Sequence, residues 1–408
     1  MSPLLVVALV VFLEGLSFGI ILPVLEPFAE RLGGGETWAG ILFAAATLPR
    51  IVTAPLWGRF SDRFGRRQAM TLVALGTTSA SVLWALSGRL DGILVSGLIW
   101  LLISRLIYGL FAAQSVLGMA VASDVSTPAR RAAAMGSLGA AFGLAFTIGP
   151  ALGGWFAGRF GHPSIGWFSG ALQAASVLLI LAALRETRPV ARASPSDLFV
   201  PPRKMMHLTL VPMIAALVAV TIISTAAYSV LFPTFTQLTQ SRYGWDMAAA
   251  GRALSVFGLV GALVQGGLIR PAVRRLGEKP VAVLGLATLA AGLLTMALPT
   301  AVGGLWLALT LVAIGTGLCV PTVTSLMSTS VPEHDQGAIH GMNQSATSVG
   351  RTLGFAFSGA AFEHLGPSPT YAGAAIAAAA SLVLLSIARV RSRAQSDRAI
   401  EATADEIP

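Results

Sequence analysis

The chain has 408 residues, of which 55% are hydrophobic and only 11% charged, and it carries a formal net charge of +9. Soluble domains carry about 25% charged residues, so a water-soluble globule is excluded, and with it a soluble catalytic domain. The excess of Lys and Arg sits in short loops between apolar runs, the pattern of topology determinants, which excludes nucleic acid as the partner.

At roughly 20 apolar residues per membrane helix, cutting the chain at charges and Pro/Gly clusters predicts twelve spans. They fall at 4–29, 38–58, 69–88, 94–122, 132–158, 164–184, 207–235, 246–269, 280–299, 302–328, 338–361 and 369–389. Residues 1–13 hold no Lys or Arg, and Glu14 interrupts the apolar stretch without a cleavage site, so this reads as a retained first span. The longest polar interruption, 185–206, contains Pro189, Pro195, Pro201 and Pro202 and divides the spans six and six. The expected organisation is an N-terminal bundle at 1–184, a linker at 185–206, a C-terminal bundle at 207–390 and a tail at 391–408. Of the 27 Lys and Arg residues, 19 fall on the side that holds the linker and both termini, and 4 on the other. That side is therefore expected to be cytoplasmic, in a multi-pass protein of the cell membrane.

The halves resemble each other, as expected of a transporter built from repeats. Asp62-Arg63-Phe64-Gly65-Arg66-Arg67 after span 2 has a counterpart in Arg274-Arg275-Leu276-Gly277-Glu278-Lys279 after span 8. Gly136, Gly149 and Gly154 in span 5 match Gly341, Gly354 and Gly359 in span 11 at a constant offset of 205.

Ionisable side chains inside a membrane are costly and mark functional positions. They are Glu14, Glu26, Arg50, Arg105, Arg252 and Arg351. At 1.5 Å per residue, Glu14, Arg50 and Arg105 fall near mid-depth, Glu26 lies ~18 Å beyond Glu14 toward the outer mouth, and Arg252 can snorkel. Glu14 is the mid-depth carboxylate able to load and release a proton, with Arg105 or Arg50 as the cation that favours its ionised form. Candidate cavity residues are Glu26, Arg50, Tyr108, Gln114, Tyr228, Phe232, Asn343, Gln344 and Arg351. The second-half wall is expected to be the more apolar, although Tyr228, Phe232 and Phe235 also fit a packing stripe. Cys319, the single cysteine, lies in an apolar run and reads as a core residue, and the five histidines lack ligand spacing. Neither metal, cofactor nor enzymatic activity is expected.

The loop Gly58-Arg59-Phe60-Ser61-Asp62-Arg63-Phe64-Gly65-Arg66-Arg67 resembles the G-x-x-x-D-R-x-G-R-R hallmark of the major facilitator superfamily, in its place after span 2. The resemblance implies an all-α fold of two pseudo-symmetric six-helix bundles and a gating role for Gly58, Asp62, Arg63, Gly65, Arg66 and Arg67. The glycines would permit turning and close approach, and Asp62 would face a helix N-terminus. Span 5 carries Gly149-Pro150-Ala151-Leu152-Gly153-Gly154 with Gly136 upstream, similar to the G-P-x-x-G-G hinge motif of the antiporter branch, with Ala145 where a glycine is usual. Glu14 ahead of Pro23-Val24, and Arg105 in an R-x-x-x-G pattern, resemble drug/proton antiporters including tetracycline exporters, where the arginine is tied to proton coupling. The function implied is a monomeric exporter of hydrophobic or amphiphilic small molecules in exchange for protons. Four arginines against two glutamates within the spans also fit an anionic amphiphile, such as a lipid, as substrate.

Overall fold

A computed structural model describes residues 1–187, 212–299, 301–331 and 336–388, and is helical throughout with no strand among them. The predicted linker from residue 188 on, the start of span 7 up to residue 211, and the tail at 391–408 lie outside the described residues. The first half comprises α1 (Pro3–Gly19), α2 (Leu25–Arg31), α3 (Glu36–Thr47), α4 (Arg50–Phe64), α5 (Arg66–Ser87), α6 (Gly97–Phe111), α7 (Gln114–Val125), α8 (Pro128–Phe160) and α9 (Pro163–Ala183). The second comprises α10 (Pro212–Ser229), α11 (Leu231–Tyr243), α12 (Met247–Leu263), a π-helical turn at Val264–Leu268, α13 (Ile269–Leu276), α14 (Glu278–Ala297), α15 (Val302–Thr329), α16 (Gln336–Leu365) and α17 (Pro367–Ile387).

Ten helical segments are long and apolar enough to cross a membrane; the 17-residue α1 and the 30-residue α16 complete twelve spans. Several spans consist of two helices. Span 1 breaks at residues 20–24 around Pro23, span 2 at Leu48-Pro49, span 4 at Ala112-Ala113 and span 7 at Val230. Spans 7 and 8 run on to Tyr243 and Leu276, further than composition indicated, because the added turns are polar and lie beyond the apolar window.

By contacts, the described residues fall into two compact units that do not coincide with the two halves of the sequence. Of the described residues, the first comprises 1–187, 231–262 and 355–364, the second 212–230, 263–299, 301–331, 336–354 and 365–388. In the first, Val7, Val10, Met70, Val73, Leu117, Val121, Leu138 and Ile180 form a core shared by spans 1, 3, 4, 5 and 6. In the second, Ile214, Leu217, Val220, Leu286, Val323, Leu326 and Leu385 do the same for spans 7, 9, 10 and 12. Hydrocarbon supplies little drive for helices to associate, so close approach of small residues matters more than it does in water. Spans 9 and 10 illustrate this: a Cβ at Gly285 would lie 2.7 Å from Cys319 N and 3.0 Å from Gly315 O. Cys319 is a buried core residue at this crossing.

Candidate functional site

Within the first unit, Glu14, Arg50, Arg105, Tyr108 and Gln114 form one polar centre. Glu14 is 2% exposed. The Ser115 hydroxyl donates to Glu14 Oε2, which brings the carboxyl to the N-terminus of α7. Ser115 was not singled out by sequence, because it owes its place to the break between α6 and α7, and Phe111-Ala112-Ala113-Gln114 contains neither proline nor glycine to announce one.

Arg50, one of the two arginines expected to favour the ionised carboxyl, lies within electrostatic reach of Glu14. Arg105, 2% exposed, lies over the rings of Trp84 at 4.5 Å and Tyr108 at 5.3 Å, and its Nε donates to Ser104 Oγ at 3.4 Å. Facing aromatic π-clouds satisfies a guanidinium without a carboxylate. Arg105 Nη2 and Arg50 Nε are both buried without a hydrogen-bond partner. Gln114, fully buried, donates through Nε2 to Gln173 Oε1 at 3.0 Å. Glu26 is only 4% exposed, with Oε2 unpartnered.

One turn along span 1 from Glu14, Phe18 opens a run of aromatic contacts. It stacks on Phe146 at 6.4 Å, Phe146 meets Phe232 at 6.0 Å edge-on, and Phe232 meets Phe257 and Phe355 at 6.3 Å each. A charged centre therefore adjoins an aromatic region, to which second-half residues of this unit contribute Phe232, Phe257 and Phe355.

The loop after span 2 is held by a carboxylate network. Arg66, 5% exposed, pairs with Asp62 at 2.7 Å and with Asp124 at 2.8 Å. The N-terminus of α5 is met by the Glu186 carboxylate, whose oxygens accept from Arg66 N at 2.8 Å and Arg67 N at 3.1 Å. Two partly oriented N–H groups and the helix dipole favour a carboxylate there, and Glu186 reaches them because Gly65, at φ +101°, has no Cβ in the way. Among the described residues nothing lies within 4 Å of a would-be Cβ at Gly58. The Arg63 guanidinium lies 5.1 Å above the Phe64 ring. Asp124 and Glu186 escaped the sequence reading, which counted cations on this side and not the carboxylates that neutralise them.

The counterpart loop has the same construction with altered charge. Gly277 repeats the positive φ, at +86°. Lys279 Nζ donates to the last carbonyls of span 12, Ser386 O at 3.0 Å and Ala388 O at 2.8 Å, much as Arg67 Nη2 donates to Leu181 O of span 6 at 2.6 Å. Where Arg66 meets Asp124, Glu278 accepts from Ser325 at 2.5 Å.

The span 5 motif is a crossing point. Gly149 faces Gly19, with a would-be Cβ 2.8 Å from Gly19 Cα; one at Gly153 would strike Ile20 O, and one at Gly154 would strike Met247 O at the start of span 8. Ala145 is accommodated because Gly15 opposes it. Pro150 lies inside a continuous α8, and the next amide, Ala151 N, turns to Ser255 Oγ at 2.9 Å. Among the described residues nothing lies within 4 Å of a would-be Cβ at Gly136. The repeat recurs in these contacts. A Cβ at Gly251 in span 8 would strike Pro150 O, and a Cβ at Gly359 in span 11 would strike Glu36 O at the start of span 2. One at Gly40 in span 2 would lie 2.5 Å from Phe355 O, the position 205 residues after Pro150.

In the second unit, Asn343 Nδ2 donates to Thr324 Oγ1 at 3.1 Å while its Oδ1 is unpartnered, Gln344 is exposed, Arg351 is partly buried and Tyr228 is buried. Among the described residues no group of His, Cys, Asp and Glu could hold a metal ion.

A family profile of the Major Facilitator Superfamily matches residues 7–341 and 217–407. The chain is 30% identical over 363 residues to the tetracycline resistance protein, class E, of Escherichia coli, covering 85% of each. It is 26% identical over 365 residues to multidrug resistance protein 2 of Bacillus subtilis (strain 168), covering 86% and 87%. Among solved structures, the human organic anion transporter MFSD10 (TETRAN) is similar at TM-score 0.71 and 24% identity, covering 94% of this chain and 98% of that one. A D-xylose-proton symporter is similar at TM-score 0.77 and 15% identity, covering 95% and 98%. With twelve spans, two repeated halves and the hallmark loops in place, the chain belongs to the major facilitator superfamily: a multi-pass membrane transporter, not an enzyme.

Proposed function

We propose that this transporter is a proton-coupled antiporter that exports hydrophobic or amphiphilic small molecules across the cell membrane, with both termini cytoplasmic and the two six-span halves, 1–184 and 207–390, rocking about a central site. The observation that carries this reading is Glu14: a carboxyl buried at mid-depth, beside Arg50 and a short way from an aromatic region suited to an apolar substrate. A buried carboxyl costs least when neutral, and ionises when donors and a cation meet it. A cationic substrate and a proton would then compete for Glu14, which is what obligatory exchange needs. The relatives named as tetracycline and multidrug resistance proteins support a drug-like substrate.

In proteoliposomes with an imposed pH gradient, tetracycline or a cationic amphiphilic dye is expected to be exchanged for protons. Glu14→Gln should lose gradient-driven transport while the protein still folds. Full gradient-driven transport by that variant overturns the assignment.

A second reading is favoured by the unpartnered Arg50 Nε and Arg105 Nη2, which leave buried donors for an anionic head group. The name of the human relative MFSD10, an organic anion transporter, points the same way. An anion beside Glu14 would bind better when Glu14 is protonated, so its affinity should rise on acidification where that of a cation falls. Arg50→Ala should weaken anion binding and leave a cation bound no worse.

A further inference from the structure

The interruption of span 4 lies among spans 1 and 2 in the first unit. In hydrocarbon, a broken helix is tolerated only where the freed backbone groups find partners. Here both sides of the break are supplied. On the α6 side, Leu110 O accepts from Trp57 Nε1 at 2.8 Å and Gly109 O from Thr53 Oγ1 at 3.4 Å, both from span 2. At the turn itself, Ala113 N bonds back to Phe111 O at 2.8 Å. On the α7 side, the regular ladder resumes with Leu117 N to Ala113 O at 3.0 Å, which leaves the amides just ahead of it free of main-chain partners. The Glu14 carboxyl of span 1 lies at this end of α7, where it accepts from the Ser115 hydroxyl and is electrostatically coupled to the Gln114 and Ser115 amides.

We propose that this break is the holding site for ionised Glu14, formed by the N-terminus of α7 and positioned by Ser115. The inference rests on the reading of Glu14 as the coupling carboxylate and names the group that receives its charge. When the proton leaves the Glu14 carboxyl for solvent, the negative charge that remains faces two main-chain donors, a hydroxyl and the positive end of a twelve-residue helix. Among the described residues Glu14 makes no ion pair within 4 Å with Arg50 or Arg105, so Arg50 acts on this charge at longer range. The charged and titratable groups facing Glu14 are Arg50 from span 2 and, from span 4, Tyr108, which lies within electrostatic reach of Glu14, Arg50 and Arg105. Spans 5 and 6, which also pack on α1, carry no titratable residue between positions 133 and 158 or 163 and 184. The far end of α7, about 18 Å away at 1.5 Å per residue, carries Asp124, which is bonded to Arg66 of the loop after span 2. A proton arriving on Glu14 releases one end of this helix, and the other end is fastened to the gating loop.

The test reads Glu14 directly. The carboxyl C=O band of the purified full-length protein is followed by infrared difference spectroscopy from pH 5 to 9, with Glu14→Gln identifying the band. Ser115→Ala removes a donor to the charged form and should move the midpoint of that band upward by about one pH unit, roughly tenfold in proton affinity. Ser115→Thr keeps the hydroxyl and should restore the midpoint. The pH of half-maximal gradient-driven tetracycline exchange in proteoliposomes should move with it. A midpoint unchanged in Ser115→Ala, with the band still lost in Glu14→Gln, overturns the holding site while leaving Glu14 as the coupling carboxylate. Gradient-driven transport that persists in Glu14→Gln overturns the underlying reading instead.

Discussion

Four glycines in one motif repeat, Gly136, Gly154, Gly341 and Gly359, are equivalent by spacing but not by surroundings, and that difference is measurable. A Cβ at Gly359 would strike Glu36 O and lie 3.0 Å from Gly40 N, and a Cβ at Gly154 would strike Met247 O and lie 3.0 Å from Ala248 Cα. Those neighbours are mostly backbone, which cannot rotate aside, so alanine must push span 11 from span 2, or span 5 from span 8. Overpacking of this kind costs about 1–3 kcal/mol, which moves a two-state equilibrium about 5- to 150-fold toward the state in which these ends have parted. Among the described residues nothing lies within 4 Å of a Cβ at Gly136 or Gly341, and alanine there should have no such effect. The assay is reaction with a membrane-impermeant maleimide at Thr236→Cys in a Cys319→Ser background, since Thr236 is buried with its hydroxyl on Pro23 O at 3.3 Å across this contact. Gly359→Ala and Gly154→Ala should label at least fivefold faster than the reference, and Gly136→Ala and Gly341→Ala at the reference rate. Equal labelling in all four would refute the argument that these crossings hold the end closed.

Asp124→Asn should impair turnover and lower thermal stability more than Asp62→Asn, because Asp62 is the more exposed partner of Arg66 and its pairing is weakened by solvent; a thermal-shift series on the purified variants checks the order. Gly65→Ala should destabilise by about 1–3 kcal/mol, since it forces φ +101° on a side chain and drives a Cβ into the Glu186 carboxylate, whereas Gly58→Ala should be close to neutral in the same series. At the far end of span 11, Glu363 accepts from Thr37 N at 2.9 Å, and that bond holds its carboxyl below the usual carboxylate range. A lowered value stabilises the contact above the ordinary carboxylate value and is lost as pH falls through the lowered one. Labelling at Thr236→Cys should therefore stay flat down to about pH 5 and rise only below about pH 4, with Glu363→Gln removing the pH dependence.

Much of the architecture follows from short stretches of sequence. Twenty-residue windows of apolar side chains must lie in lipid, and the described helices begin and end within a few residues of those windows except where spans 7 and 8 continue as polar turns. The same arithmetic isolates Glu14, because it falls near mid-depth while Glu26, the other carboxylate of that run, lies ~18 Å further toward the outer end. The repeat offset of 205 likewise emerges in the contacts of Gly154 and Gly359.

The sequence by itself determined where the chain enters lipid, how many times it does so, that its halves repeat, and that Glu14, Glu26 and Arg105 are charges within the spans, all three of them buried. These depend on transfer free energies summed along the chain, so neighbours in sequence suffice. Only the tertiary structure decided which partner each charge takes and which glycines matter. Glu14 meets Ser115, 101 residues away; Glu186 meets Arg66 at 120; and Glu363 meets Thr37 at 326. A hydrogen bond is satisfied within about 3 Å of space whatever the separation along the chain. The break in span 4, which no proline or glycine announces, exists because Trp57, Thr53 and Glu14 are folded against it to take up the backbone groups it frees.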